Sequence, residues 1–372
     1  MPSLPVIDLT GSPFEMGLEQ GRRLAPAIAH NLSIYYDRFQ REAQLSVADV
    51  RSRGRAYLAV IAEVAPAYAE TVHGVSEGAA IVLDDVAALN ARYEILYSQY
   101  SMINQALAAA IEPDGCTAFA VLPEASSDGH LWLGQNWDWF PAVRGAILRT
   151  RRSDGLTTAA FTEAGIVGGK IGMNSHGLGL VINGLLSDRD DWSRLRTPFH
   201  VRTWMILQQS TLDDAIEVVT GEPRACSANF LIGKANGAAE VVNIEAAPDT
   251  ICRLLPERGL LAHANHFVDP GALGVSQPLA EEKSSTFQRE ARMSRMLEGG
   301  RAAHTLSRDH LMAMLQDHTG HPDSVCRHPN PHLREEERVE TVVSVLQDLT
   351  ARRLYVAAGT PCTTPFVEIP LA

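Results

Sequence analysis

The chain has 372 residues, of which 45% are hydrophobic and 20% are charged, a balance typical of a folded globular protein rather than of a disordered chain. Its 44 acidic residues outnumber its 32 basic residues, and the net charge of −12 argues against nucleic acids and anionic membranes as partners. No apolar run reaches the length of a membrane span and the N-terminus does not resemble a signal peptide, so we expect a cytoplasmic location. Five cysteines without a CxxC pair are typical of reduced thiols.

The first third of the chain is predicted to be helical, because apolar residues recur at helical spacing over 14–40, 47–72 and 84–108. From residue 116 onward, short apolar runs alternate with glycine-rich turns, which predicts strands. Three further helices are predicted at 197–220, 284–298 and 307–316, and a last pair of strands is predicted at 340–348 and 352–359. Layered sheets with helices outside would cover both faces of such strands.

Gly115-Cys116 lies where the helical part meets the first predicted strand, directly after the turn residues Pro113 and Asp114. A thiol at this point can attack the preceding carbonyl to form a thioester, and hydrolysis then leaves Cys116 with a free α-amine. That amine can act as the base for its own thiol. The alternative is a structural cysteine, since a buried cysteine behaves as a small apolar residue.

Asp138 stands between two tryptophans in the segment Gly-Gln-Asn-Trp-Asp-Trp. A carboxylate in apolar surroundings needs a partner or shifts its pKa, although Asp138 could equally cap the turn after a strand. Asn174 begins an Asn-x-x-Gly segment between apolar runs, which predicts a β-hairpin.

Asn265 stands between His263 and His266, and an asparagine amide can donate to a developing oxyanion. The two histidines could instead be a structural pair or metal ligands, but acidic ligands at metal spacing and an HExxH motif are absent around them. The segment 317–328 contains three histidines and Cys326 but matches no zinc-finger spacing, so we predict a polar loop there rather than a zinc site.

Arg327 and Arg338 are candidates for holding a substrate carboxylate or Asp138. Three residues at the start of the helix predicted at 284–298 are interpreted as capping residues: Ser285, Thr286 and Arg289.

The order of these motifs resembles the acyl-coenzyme A:6-aminopenicillanic acid acyltransferase (isopenicillin-N N-acyltransferase) family of autoproteolytic N-terminal-nucleophile hydrolases. The resemblance runs through Gly-Cys-Thr-Ala-Phe, Gly-Gln-Asn-Trp-Asp-Trp, Gly-Met-Asn-Ser-His-Gly-Leu, His-Ala-Asn-His-Phe and Ser-Val-Cys-Arg. It implies an α+β fold, the αββα four-layer sandwich of two stacked antiparallel sheets between helices. It also implies self-cleavage before Cys116 into a helix-rich pro-segment, 1–115, and a β subunit, 116–372, which stay together as an α/β heterodimer, with further oligomerisation left open.

The resemblance assigns Cys116 as the nucleophile, Asp138 as the residue that orients it and Asn265 as the oxyanion donor. It implies no metal and no cofactor. Further candidates for supporting or substrate-binding roles are Thr117, Asn136, Trp137, Asn174, His263, Arg327 and Arg338.

The expected activity is acyl transfer through a thioester, with a small linear amide as substrate, either an N-acyl amine or an N-acyl amino acid. An acyl-coenzyme A-dependent N-acyltransferase of the penicillin type is the alternative. Ala246-Ala247-Pro248 and Glu337 depart from the serines of the family's fungal enzyme and argue against a penicillin-specific function. Two other classes stay open, namely a non-catalytic ligand-binding homologue and a metal-dependent amidase using His263, His266 and the 318–328 cluster.

Overall fold

The computed structural model of the chain describes residues 4–102, 115–279 and 284–371, with residues 99–102 described by their backbone. Within 4–102, a short strand is followed by a succession of helices. These elements are β1 (Val6–Thr10), α1 (Pro13–Ala43), α2 (Val47–Val64), α3 (Pro66–Ala79), α4 (Leu83–Asn90) and α5 (Arg92–Met102). Ser12 caps α1 by accepting from the backbone N–H of Glu15, whose side chain accepts from Ser12 in return.

Two of the long helices predicted from periodicity are each divided in two. The helix predicted at 47–72 breaks at Ala65 because Pro66 cannot donate to the helix ladder and is favoured at the first position of a new helix. The helix predicted at 84–108 breaks at Ala91, and residues 103–108 lie outside the described part of the chain.

Two sheets form the centre of the molecule. The eight-stranded sheet has the order β1-β4-β5-β6-β7-β8-β9-β10, and the six-stranded sheet has the order β11-β2-β3-β12-β13-β14. The strands are β2 (Gly115–Val121), β3 (Trp132–Trp139), β4 (Gly145–Arg151), β5 (Thr157–Glu163), β6 (Ile171–Asn174), β7 (Leu178–Gly184), β8 (Ala228–Ala235), β9 (Ala239–Ala246), β10 (Ile251–Leu254), β11 (Leu260–His263), β12 (Glu340–Asp348), β13 (Arg353–Ala357) and β14 (Val367–Pro370).

The sheets pack face to face, with β2 and β3 of one against β7 and β8 of the other. Helices α6 (Phe199–Leu207) and α7 (Leu212–Thr220) cover the eight-stranded sheet, and they replace the single helix predicted at 197–220. Helix α8 (Ser285–Ala302) covers β2 and β11 on the outer face of the six-stranded sheet, and α9 (Arg308–Met314) follows it. The layer order is therefore helix, sheet, sheet, helix, as expected for the αββα fold.

The N-terminal segment is part of the sandwich rather than a separate domain. Strand β1 pairs in parallel with β4, the other pairings in the described sheets being antiparallel. Arg92 of α5 and Lys170 both bind the buried carboxylate of Glu163 on β5. Burial by itself raises the pKa of Glu163, but the two adjacent cations lower it well below its usual range. No helix in the described ranges combines the length and the apolar character that crossing a membrane requires.

Candidate active site

Cys116 is the second residue of β2 and is fully buried. Its backbone N–H donates to the Oδ1 atom of Asn265 at 2.6 Å. Because side chains alternate along a strand, Cys116 and Ala118 project into the core between the two sheets. Phe119 projects to the other side, where it packs with residues of α8. The predicted nucleophile therefore faces the space between the sheets.

Asn265 directly follows β11, the strand that pairs with β2 on its other edge. The Nδ2 group of Asn265 donates to the carbonyl oxygen of Gly184 at 3.1 Å, and its backbone N–H donates to the hydroxyl of Thr286 at 2.6 Å. These partners fix the orientation of the side-chain amide, because the N–H of Cys116 requires an acceptor and the Gly184 carbonyl requires a donor. One Nδ2 hydrogen is thus used, and the second has no partner among the residues that the structure describes.

Arg289 of α8 is 1% exposed and reaches the same point from the outer face of the sheet. Its guanidinium donates to the carbonyl oxygen of Cys116, to the hydroxyl of Thr117 at 3.0 Å and to Oδ1 of Asn265 at 3.2 Å. One planar group therefore holds the backbone of the predicted nucleophile and the side chain of the predicted oxyanion donor together.

His266 lies next to this group and is uncharged at neutral pH. Burial, reinforced by the neighbouring His263 and Arg289, lowers the pKa of His266 to about 3. The Nδ1 atom of His266 lies 3.0 Å from the hydroxyl of Thr286, which accepts from the backbone N–H of Asn265.

Asp138 lies on β3 directly opposite Gly115, the residue before the predicted cleavage point. The hydroxyl of Thr341 donates to Oδ1 of Asp138 at 2.7 Å, and the same hydroxyl accepts from the backbone N–H of Arg327 at 3.0 Å. A side-chain carbon added to Gly115 would collide with Nη1 of Arg327 and would lie 2.9 Å from Oδ2 of Asp138. Asp138 and Arg327 therefore enclose the backbone at the predicted cleavage site.

Two of the predicted supporting residues hold other parts of the fold in place. Asn136 is buried and donates to the carbonyl oxygens of Leu315 and Val325, both at 2.8 Å, which fixes the loop that carries Arg327. Trp137 is a core residue, and the Nζ atom of Lys170 lies 3.4 Å from the centre of its ring.

Asn174 and Arg338 do not meet Cys116. Asn174 closes the β6–β7 hairpin by accepting from the backbone of His176 and Leu178, at the end of β7 opposite to Gly184. The predicted hairpin is therefore present, with Asn174 as a structural residue. Arg338 is half-buried and donates to the carbonyl oxygens of the neighbouring loop at Leu333 and Pro331, rather than to Asp138.

A row of buried polar side chains begins beside Gly184 and crosses β7, β8 and β9 of the eight-stranded sheet. We name this row the polar ladder; it consists of Asn183, Asn229, Asn243 and Glu245. The amide of Asn229 donates to Asn183 at 3.0 Å and to Asn243 at 2.8 Å. Each of the four side chains also has one buried polar atom with no hydrogen-bond partner among the described residues. Buried polar atoms normally have a partner, and water or a ligand bound between the sheets can satisfy these four.

His263 connects this row to the six-stranded sheet. Its Nε2 atom lies 2.8 Å from Oε1 of Glu245 and its Nδ1 atom lies 2.7 Å from the carbonyl oxygen of Ala264. Both ring nitrogens are engaged by protein atoms, which disfavours His263 as a metal ligand. In the described ranges, metal-ligating side chains gather in one group of three or more, and it involves residues 318–328 rather than His263 and His266.

The structure corrects the interpretation of the start of α8. Ser284 occupies the cap position, without a side-chain capping bond, whereas Thr286 and Arg289 bind Asn265 and Cys116. Sequence reasoning did not predict these contacts. The spacing of three residues places Thr286 and Arg289 on one helix face, but the pattern does not show which face packs on β2.

Two stacked sheets between helices form a four-layer αββα sandwich, and the predicted fold class is confirmed. The family model of acyl-coenzyme A:6-aminopenicillanic acid acyl-transferase matches residues 125–362, and the chain belongs to this family. A curated relative is the 40 kDa form of acyl-coenzyme A:6-aminopenicillanic-acid-acyltransferase from Emericella nidulans. It is 26% identical over 359 residues, which cover 94% of this chain and 91% of the relative.

Solved structures with a similar fold are more distant. A mutant of conjugated bile acid hydrolase from Clostridium perfringens is 12% identical, with a TM-score of 0.48, and the match covers 68% of this chain and 92% of that one. Penicillin V acylase from Agrobacterium tumefaciens is 11% identical, with a TM-score of 0.44, over 68% and 86% of the two chains. The family assignment rests on the family match and not on these similarities.

Proposed function

We propose that the chain cleaves itself between Gly115 and Cys116, and that the released N-terminal Cys116 then transfers acyl groups from linear amides. The observation that carries this proposal is the environment of the Cys116 backbone. Its N–H binds Asn265 and its carbonyl binds Arg289, while Gly115 lies opposite Asp138. These contacts gather four chemical functions of an acyl-transfer site at one end of β2. The functions are the nucleophile, the base, the oxyanion donor and the group that orients the nucleophile.

In the cleavage step, the thiol sulfur of Cys116 attacks the carbonyl carbon of Gly115. The carbon–nitrogen bond then breaks, the departing nitrogen takes up the thiol proton, and a thioester forms. Water hydrolyses the thioester, which leaves a carboxylate on Gly115 and a free thiol and α-amine on Cys116. Asp138 and Arg327 position the Gly115 side of this bond through their close approach to its backbone.

In the turnover step, the α-amine of Cys116 accepts the thiol proton and the sulfur attacks the substrate carbonyl. The second Nδ2 hydrogen of Asn265 donates to the oxygen that becomes negative. The amine proton passes to the leaving amine, and water or another amine then takes the acyl group from the thioester.

The polar ladder supports an amide substrate with a polar end. Its unpartnered atoms include both donors and acceptors, the Nδ2 groups of Asn183 and Asn243 and the oxygens Oδ1 of Asn229 and Oε2 of Glu245. A substrate amine, hydroxyl or carboxyl group bound there would satisfy these atoms. We infer that N-acyl amines and N-acyl amino acids are the substrate class, with the polar end against the ladder.

Acyl transfer from acyl-coenzyme A is the second candidate, and the extended similarity to the Emericella nidulans acyltransferase favours it. The two activities share one thioester and differ only in the acyl donor and in the acceptor. The same purified protein should therefore be given an N-acyl amino acid or an acyl-coenzyme A, with and without 6-aminopenicillanic acid, and the distribution of the acyl group between water and amine measured.

The deciding experiment is intact mass spectrometry of freshly purified protein under denaturing conditions. We expect two fragments, the second beginning at Cys116, whose masses sum to that of the chain plus one water. Cys116→Ala removes the sulfur and should give a single uncleaved chain without amidase activity. Cys252→Ala, which changes a half-buried cysteine on β10, is the matched control and should be cleaved and active.

Cleavage that persists in Cys116→Ala would refute the assignment of the nucleophile. A wild-type chain that stays intact and binds an amide without consuming it would support the non-catalytic alternative. Amidase activity that survives in Cys116→Ala but is lost with a chelator would support the metal-dependent amidase.

A further inference from the structure

Four metal-ligating side chains converge where two connections of the six-stranded sheet meet. Three of them, His318, Cys326 and His328, belong to the loop between α9 and β12, and Cys362 belongs to the connection between β13 and β14. One ligand atom of each lies within 4.8 Å of those of the other three. The Nε2 atom of His328 is 3.1 Å from Nε2 of His318, 3.7 Å from Sγ of Cys326 and 3.5 Å from Sγ of Cys362.

These separations match a tetrahedral zinc site. Zinc–nitrogen bonds of about 2.0–2.1 Å and zinc–sulfur bonds of about 2.3 Å place two nitrogens about 3.3 Å apart and a nitrogen and a sulfur about 3.6 Å apart. Hydrogen bonding does not explain the cluster equally well. One imidazole nitrogen offers either one N–H or one lone pair, whereas three ligand atoms surround Nε2 of His328.

We propose that His318, Cys326, His328 and Cys362 bind one Zn²⁺ ion. Binding releases the two thiol protons to solvent, and the two thiolates balance the charge of the ion. Two imidazoles and two thiolates are a ligand set that zinc prefers. Four protein ligands leave no open position, so the ion is structural and does not activate water.

The position of the cluster shows what the ion stabilises. Cys326 immediately precedes Arg327, whose backbone N–H binds Thr341 and through it Asp138. Cys362 lies 34 residues after His328 and is tied to this loop through the ion. Zinc thus fixes the segment that positions Arg327 beside the predicted cleavage site, without touching the reacting atoms.

The sequence led us to expect no metal, because the segment 317–328 matches no zinc-finger spacing. The spacing fails as a guide here because the fourth ligand comes from a distant connection, which the pairing of β12 with β13 brings back to the loop. The zinc site does not depend on the proposed amidase activity, and the two proposals can fail separately.

The test is metal analysis of full-length protein purified without a histidine tag and without chelators. We expect about one zinc ion per chain in the wild type and in Cys116→Ala, which separates this proposal from the proposed function. Cys362→Ser and His318→Ala should each lower the zinc content about tenfold. His332→Ala and Cys252→Ser are matched controls, since they remove the same residue types outside the four ligands, and they should keep the metal.

A second measurement does not depend on variants. Chelator-treated wild-type protein is titrated with Co²⁺, and we expect thiolate-to-cobalt charge-transfer bands and the visible bands of tetrahedral cobalt, both abolished by added Zn²⁺. Three results would overturn the site: wild-type protein that neither contains zinc nor takes up cobalt, equal metal loss in the matched controls, or a mass two daltons low that reveals a Cys326–Cys362 disulfide.

Discussion

The backbone N–H of Cys116 donates to Oδ1 of Asn265 at 2.6 Å, so the predicted nucleophile and the predicted oxyanion donor are in direct contact. In the intact chain this nitrogen is an amide, and after cleavage it is the amine that serves as base. One asparagine side chain therefore positions the nitrogen with Oδ1 and presents Nδ2 to a substrate. The predictions below follow from this contact and from the groups around it.

Asn265→Ala should lower kcat by about 10²–10³ if Nδ2 stabilises the oxyanion. Asn265→Asp keeps an acceptor for the N–H of Cys116 but loses the Nδ2 donor, so it should retain more self-cleavage than turnover. Cleavage is followed by mass spectrometry and turnover by release of amine. An unchanged kcat in Asn265→Ala would return Asn265 to a structural role.

Gly115→Ala should slow self-cleavage by about tenfold or more, because the new Cβ would collide with Nη1 of Arg327 and would lie 2.9 Å from Oδ2 of Asp138. Gly299→Ala in α8 is the matched control, since its Cβ would meet nothing within 4 Å. The fraction of intact chain is measured against time after synthesis. Cleavage of Gly115→Ala at the wild-type rate would show that the close approach at this residue is not needed.

Arg289→Lys should lower both the rate of cleavage and kcat by about tenfold or more. An ammonium cannot reach the three acceptors that the buried guanidinium contacts, and a hydrogen bond to a charged group contributes about 1.5–3 kcal/mol. Arg295→Lys changes an exposed arginine of the same helix and should behave as wild type. Loss of folding is separated from loss of function by comparing melting temperatures. A folded Arg289→Lys protein with full activity would remove Arg289 from the site.

The sequence was a good guide wherever the signal is local or lies in the order of motifs. The strands after residue 116 follow from alternation and turn residues, and the predicted pair at 340–348 and 352–359 is present as β12 and β13. Strand β1 was missed because it is short and its partner β4 lies far along the chain. Its pairing is set by the tertiary structure rather than by its own residues.

Part of the candidate site could be predicted from the sequence for the same reason. Asp138 and Asn265 stand in motifs with a fixed order, and the structure brings Asn265 into contact with Cys116 and Asp138 opposite Gly115. Arg289 could not be found by composition, because a buried arginine and an exposed one have the same appearance in a helical pattern. Its function is visible only once α8 packs on β2.

Glu245→Gln should raise KM for an N-acyl amino acid or N-acyl amine without a comparable change in kcat or self-cleavage. The variant keeps Oε1, which binds His263 and the backbone of Val268, and replaces the unpartnered Oε2 with a donor. A substrate donor that binds Oε2 would then face another donor. A KM within about twofold of wild type across substrates that differ in their polar ends would contradict binding at the polar ladder.

Glu94 should make the stability of the fold depend on pH. Burial raises the pKa of this α5 carboxyl to about 7, against the opposing effect of the hydrogen bond from the backbone of Phe199. The folded chain therefore binds the proton more tightly than the unfolded chain. The stability that this provides is complete below about pH 4 and is lost as the pH rises towards 7, by about 3 kcal/mol in total.

Glu94→Gln removes this titration, because its amide stays neutral at every pH. The free energy of unfolding of the Glu94→Gln chain minus that of the chain with Glu94 should therefore increase by about 3 kcal/mol between about pH 4.5 and pH 8. Both values are measured by urea denaturation, and both proteins also carry Cys116→Ala so that they remain uncleaved. Glu63→Gln, at an exposed position of α2, should show no such trend. A difference for Glu94→Gln that is independent of pH would mean that Glu94 is ionised in the folded protein, and that its burial beside Phe199 is compensated by the nearby arginines Arg92 and Arg202.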